Sequence, residues 1–221
     1  MKFLLLFVLF FLPAVQFHRS ISKPEVFVSR QDSTLNFNRR LTYAHLGLKR
    51  MLSSLIWVET VLTADEEKYN EQDLNSWMYL RFDTLFLLDP LFLKAYQFAG
   101  PYLSVVKDDV MGAKDIYDRG LQHYPKDYLL IYNAAFHYYH EVRDTNRAIE
   151  LYRKIVSDKR TPEYLASFIS RLMTESDVYD ENEAILILVH GYHVASEEMK
   201  PIYIDKIKSL GGNPEAFGIQ L

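Results

Sequence analysis

The sequence predicts an all-α chain, a helical-hairpin solenoid preceded by a membrane-directed segment and closed by a capping helix. Three observations predict it. Apolar residues recur at three- and four-residue steps from Leu41 onward, several residues recur 35 positions apart after Pro90, and the last periodic stretch stops at Gly211-Gly212. Composition agrees: of 221 residues 49% are apolar and 14% aromatic, with only 8 Gly and 8 Pro, which describes a packed chain and not a disordered one.

The helical period comes first. Leu41, Ala44, Leu48, Met51, Leu55, Val58 and Val61 predict a long first helix, residues 63–73 are polar and acidic, and a second helix is expected over residues 74–88 before Asp89-Pro90 stops it. At the far end, residues 196–210 set Ile204, Ile207 and Leu210 against Glu197, Glu198, Asp205, Lys206 and Lys208, the two-sided pattern of a terminal cap.

The repeat is read from three coincident offsets: Pro90 to Pro125, Ala113 to Ala148 and Tyr117 to Tyr152 are each separated by 35 residues. The same offset takes Gly100 to Ala135 and then to Ser170, small residues where neighbouring helices must approach closely. In a third copy Ala184 answers Ala148 and Leu188 answers Tyr152 with one residue added, as an insertion near residues 177–183 produces. Units of about 41–90, 91–125, 126–161 and 162–193 follow, with the cap at 196–210.

At these residues the chain resembles the tetratricopeptide repeat family, whose unit of ~34 residues sets aromatic and small residues at fixed steps across two helices. In one unit the pattern falls on Tyr96, Ala99, Gly100, Leu103, Ala113, Tyr117, Gly120 and Pro125, and in the next on Ile131, Ala134, Ala135, Tyr138, Ala148, Tyr152 and Ile155. The third carries Ala166, Ser170, Met173, Ala184, Leu188 and Gly191, and an earlier unit is marked by Met78, Phe82, Leu85 and Pro90. The departures are an extra residue in each inter-helix turn, no signature Trp and no closing Pro in the third unit. The resemblance implies a right-handed superhelix, and it is nearest to small bacterial envelope proteins of this class.

Function follows from the same resemblance, since the first helix of each such unit lines a concave wall. The exposed positions it implies are Lys94, Gln97, Pro101 and Ser104, then Tyr132, Asn133, Phe136, Tyr139 and His140, then Tyr164, Ser167 and Arg171. Tyr and Phe give large contact area for few frozen torsions, which suits an extended peptide or a partner helix. The competing expectation is that Tyr132, Phe136 and Tyr139 fill a closed superhelix or pack on the tether. A non-catalytic scaffold or adaptor, binding a protein or peptide and needing no cofactor, is the function implied.

The N-terminus predicts location. Lys2 followed by apolar residues 3–15, broken only by Pro13, is the core of a targeting segment, shorter than the ~20 residues that span a bilayer comfortably. Residues 1–22 are expected to be a signal peptide or an uncleaved membrane anchor, and residues 23–40 a linker, so the domain of residues 41–221 belongs to the cell envelope, exported or anchored. A formal charge of -4 gives no general attraction for phosphate backbones, so nucleic acid is not an expected partner. Cysteine is absent, which removes disulfides, thiolate nucleophiles and cysteine-ligated zinc.

Two His-x-x-His steps, His137 with His140 and His190 with His193, are the residues on which a metal-dependent helical enzyme would draw. No His-Glu-x-x-His, Gly-x-Ser-x-Gly or phosphate-loop motif accompanies them, and polar residues of amphipathic helices account for both pairs. A structural subunit oligomerising through its convex face is the other alternative. The carboxylate pairs Asp108-Asp109 and Asp180-Glu181 are expected to be solvated turn charges. Gly100-Pro101 leaves two readings open, a kinked helix or one that restarts at the proline.

Overall fold

A computed structural model describes residues 47–64, 68–71, 73–176 and 180–219, and the targeting segment, the linker and the expected helical residues Leu41 and Ala44 lie outside them. Nine α-helices make up the described residues, with no strand among them: α1 (Lys49–Leu62), α2 (Trp77–Leu88), α3 (Leu93–Pro101), α4 (Val110–His123), α5 (Tyr128–His137), α6 (Thr145–Arg153), α7 (Leu165–Thr174), α8 (Glu181–Val194) and α9 (Lys200–Ser209). None of these helices is long and apolar enough to cross a membrane.

Local chemistry starts and stops them. Side-chain oxygens of Ser76, Asp109, Asp127, Asp144 and Asp180 accept from otherwise orphaned amides at the heads of α2, α4, α5, α6 and α8. Three of these caps carry the repeat: Asp109 and Asp144 are 35 residues apart and Asp180 follows 36 later, the one-residue stutter of the third unit. At the other end Gly211 takes φ +77° and Gly212 N–H bonds the Ile207 carbonyl, closing α9 with a left-handed turn.

In two of the units the extra residue sits in a widened turn. After α3 the chain continues as a π-type turn over Tyr102–Val106, and after α5 over Tyr138–Val142. Asp108 and Arg143 then adopt φ 55° and 64°, and the amides of Asp109 and Asp144 reach back to the carbonyls of Leu103 and Tyr138. Pro101 does not restart the helix. It lies at φ −60° and ψ −37° inside a continuous run, and the widening recurs after α5 without a proline, so the added residue causes it.

Sequential helices pack in pairs, α1 on α2, α3 on α4, α5 on α6 and α7 on α8, while α4 touches α5, α6 touches α7 and α8 touches α9. Pairs also meet through like members, α3 against α5 and α2 against α4. The repeating positions are where they touch: Tyr96, Ala99, Leu103, Ala113 and Tyr117 are buried, as are Ile131, Ala134, Ala135, Tyr138, Ala148 and Tyr152. Tyr96 also stacks on Phe86 with ring centroids 3.7 Å apart, joining α2 to α3.

Small residues at the contacts are required by distance. A Cβ on Gly100 would stand 2.4 Å from the Tyr117 ring, and one on Gly191 2.6 Å from both Ala166 and Tyr203. Tyr203 is fully buried, its hydroxyl donates to the Glu163 carbonyl, and it fixes α9 on the third unit. We expect Gly100→Ala to lower stability by about 2 kcal/mol through overpacking, although alanine favours helix. An unfolding midpoint at or above that of the native chain would refute the close approach.

Several boundaries and faces differ from expectation. The described part of the first helix begins at Lys49, two residues after Gly47 at φ +80°. The second helix starts at Trp77, where Ser76 caps it, and the last covers only Lys200–Ser209. The apolar period of α1 also faces outward: Leu48, Met51, Leu55, Val58 and Leu62 are each at least half exposed, whereas Ser53, Ile56 and Thr60 are buried. The buried hydroxyls are satisfied, Ser53 donating to the Leu85 carbonyl at 3.3 Å and Thr60 to the Ile56 carbonyl at 2.6 Å while accepting from Arg81 Nε at 3.1 Å.

Candidate functional site

An aromatic band runs along α5 and across to α7. Tyr128, Tyr132, Phe136 and Tyr139 follow one another at steps of four, four and three residues, so α5 and its widened turn present them on one side. Tyr128 and Tyr132 stack at 6.0 Å, Tyr132 meets Tyr152 edge-on at 6.1 Å, and Tyr139 meets Phe168 edge-on at 5.3 Å. Phe168 also touches Tyr152 at 6.0 Å, which closes the set across two units. The Tyr132 and Tyr164 hydroxyls lie 3.5 Å apart, and this bond together with partial burial pushes the Tyr132 phenol up to about 12.

The band is partly open. Phe136 is 42% and Tyr164 55% exposed, while Tyr132, Asn133, Tyr139 and His140 are half-buried. Phe136 lies 4.2 Å from the His140 ring, and the Arg171 guanidinium stands 5.3 Å over Phe168. Arg160 covers Tyr128 at 4.3 Å. Both cations are themselves paired, Arg160 with Asp158 at 2.6 Å and Arg171 with Glu175 at 3.9 Å, so the strip is edged by ion pairs.

Lys94 and Gln97 belong to a different cluster. Lys94 Nζ donates to Gln97 Oε1 at 3.1 Å, and Gln97 Nε2 donates to Asp127 Oδ1 at 3.0 Å, so the pair braces the cap of α5. Ser104 is not at an open position. It is buried and bonds the His137 ring at 2.8 Å, because the widened turn after Pro101 rotates it into the interface with α5. Ser167 accepts from Lys206, tying α7 to α9. The residues missed by sequence reasoning are Phe168 and Arg160; Phe168 lies four residues beyond Tyr164, the spacing that puts both on one helix face.

His137 and His140 do not act as a pair. The buried His137 places Nε2 3.1 Å from the Val110 carbonyl, which can only accept, so Nε2 carries the proton and Nδ1 accepts from the Ser104 hydroxyl. Burial lowers its pKa to about 4. Both ring nitrogens are therefore engaged, and among the described residues no group of three or more His, Asp or Glu is placed to hold a metal ion.

Asp109 departs from its expected solvated state. It is completely buried, accepts from the Ser76 hydroxyl and from Gly112 N–H at 2.8 Å, and burial raises its pKa above the usual carboxylate range. Asp108 beside it is exposed and pairs with Lys68 at 3.0 Å, and Asp180 is exposed as a cap.

A concavity of about 520 Å³ lies between α4 and α6, lined in part by Lys114, Asp118, Tyr138, Arg147, Leu151 and Lys154. Its charges are committed to one another: Tyr138 donates to Asp118 at 2.6 Å, Lys114 pairs with Asp118 at 3.0 Å, and Glu150 takes both Arg147 and Lys154. Comparison with profiles of known families, with curated proteins and with solved structures finds no significant match.

Proposed function

We propose that this protein is a non-catalytic scaffold of tetratricopeptide type in a bacterial cell-envelope assembly, binding a peptide or helix along α5 and α7. The aromatic band carries the reading: Phe136 and Tyr164 are exposed, Tyr132 and Tyr139 half-buried, and Arg160 and Arg171 edge them. Large rings backed by other rings keep their shape when unbound, so a partner loses little entropy in ordering them. The recurrence of buried positions and of Asp caps at 35 residues supports the repeat class. The apolar run at residues 3–15 supports the location, tethered to or exported across a membrane.

The test is a photoreactive side chain at Tyr164, 55% exposed beside Tyr132, in the native cell, followed by identification of the crosslinked protein. Replacing Tyr132, Phe136 and Tyr139 together by Ala is expected to abolish that capture while most helical signal remains. Phe136→Ala separates binding from folding, because its ring is 42% exposed. It should weaken the captured partner by ~30-fold, the ~2 kcal/mol of an interface hot spot, with an unchanged melting curve. Full retention of the partner by the triple variant would move binding away from this band.

A further inference from the structure

Tyr132 and Tyr164 bring two phenol oxygens within 3.5 Å of each other, from successive units and 32 residues apart in the chain. The neighbouring phenols are engaged otherwise: Tyr138 donates to Asp118, Tyr124 to the Leu91 carbonyl and Tyr128 to the Arg160 carbonyl. Tyr164 is also the one exposed tyrosine among the described residues, at 55%, while the rest are buried or half-buried. A small oxidant in solution therefore meets Tyr164 first, and Tyr132 is the phenol beside it.

We infer that this pair is a site of oxidative crosslinking, at which hydrogen peroxide and an oxidant of the haem-peroxidase class join α5 to the head of α7 by a carbon–carbon bond. Two further features favour the product. Thiols, ordinarily the first side chains that peroxide consumes, are absent from the whole chain. The Tyr132 ring is held in place, stacked on Tyr128 at 6.0 Å and edge-on to Tyr152 at 6.1 Å, whereas Tyr164 stands exposed at the cap of α7 and is free to swing onto it. Two reacting groups kept in contact couple as a unimolecular step, which outruns encounters between molecules.

The chemistry balances with peroxide alone as the terminal oxidant. Each phenol gives up one electron and its hydroxyl proton, and the unpaired spin of the phenoxyl is shared with the ring carbons beside the oxygen. One such carbon from each ring forms the new bond, and the hydrogen on each then moves to oxygen as a proton, restoring both phenols. The pair has lost two electrons and two protons, which reduce one hydrogen peroxide to two waters. The bond closes a loop between residues 132 and 164 and restricts the unfolded chain as a disulfide does, in a protein that has no cysteine to form one.

The full-length protein, extracted in mild detergent, is treated with hydrogen peroxide and a haem peroxidase and then digested with trypsin. Cleavage after Lys126, Arg143, Arg160 and Arg171 leaves Tyr164 the one tyrosine of residues 161–171, while Tyr132 shares residues 127–143 with Tyr128, Tyr138 and Tyr139. These two peptides are expected to be joined, two hydrogens lighter than their sum, in protein that still runs as a single chain on a denaturing gel. Tyr132→Phe keeps the ring and its packing and should lower that product ~10-fold or more, whereas Tyr128→Phe and Tyr139→Phe should leave it. Oxidation of the urea-unfolded chain should lose the preference for this pair. Product that survives Tyr132→Phe would place the bond on another ring, and a dominant covalent dimer would show Tyr164 reacting between molecules. Equal yield from the unfolded chain would show that the fold does not direct the coupling, and no joined peptide would show that the contact does not react; each of these overturns the inference.

Discussion

Ala148→Arg is expected to abolish cooperative folding of the repeats, with a loss of about 4 kcal/mol or more. Ala148 is fully buried on α6, which packs on both α5 and α7. A long side chain there must push the neighbouring helices apart, and overpacking alone costs ~1–3 kcal/mol. The guanidinium adds a still larger penalty, because a charge taken out of water at a fully buried position without a built-in partner is strongly destabilising. Ala148→Ser keeps the size and should remain folded. Denaturant titration of the three proteins decides the matter, and an Arg variant with the native midpoint would show that α6 does not pack through this position.

Acidification should remove about 3 kcal/mol of stability through His137 alone. Burial holds its folded-state pKa at about 4, against ~6.5 in the unfolded chain. As pH falls the unfolded chain therefore takes up the proton first, so the contribution is complete above ~6.5 and is lost as pH drops toward the folded value. Protonation would also set an N–H on Nδ1, although the Ser104 hydroxyl can turn to accept it. Asp109 works in the opposite sense. Its raised pKa means the folded protein binds that proton more readily, so stability from this group increases as pH falls. His137→Gln should cost stability at pH ~7 yet lose less between pH ~6.5 and ~4 than the native chain does. Parallel stability curves for the two proteins would mean that folded and unfolded chains bind the His137 proton equally, so that burial does not shift it.

The repeat was legible because helix contacts constrain residue size. Ala99 and Ala134, Ala113 and Ala148, and Tyr117 and Tyr152 occupy equivalent buried places, so the offset recurs in the sequence as it does in the packing. The chemistry of the turns was not legible. Asp109 beside Asp108 reads as surface charge, and what buries it is Ser76, 33 residues away. The orientation of α1 was equally hidden. Periodicity reveals that an apolar row exists but not which way it faces, and buried Ser53 and Thr60 break the usual association of polar with outside. For the aromatic band, Tyr132, Phe136 and Tyr139 were named by their offsets from the repeating positions, while Ser104 was misplaced because the π-type turn shifts it after Pro101. Phe168 was missed because one-residue offsets singled out Ser167 instead.

The polar links between helix pairs give the array a melting behaviour that stacked apolar faces alone would not. Ser76 bonds Asp109 between the heads of α2 and α4, and His137 on α5 bonds both Ser104 and the Val110 carbonyl in the pair before it. Apolar surfaces can slide or separate gradually, but these bonds exist in one register only. If one pair frays, its neighbour is left with a buried polar group lacking a partner, a penalty of ~1–3 kcal/mol. Unfolding of α2 to α5 is thereby driven toward a single all-or-none event.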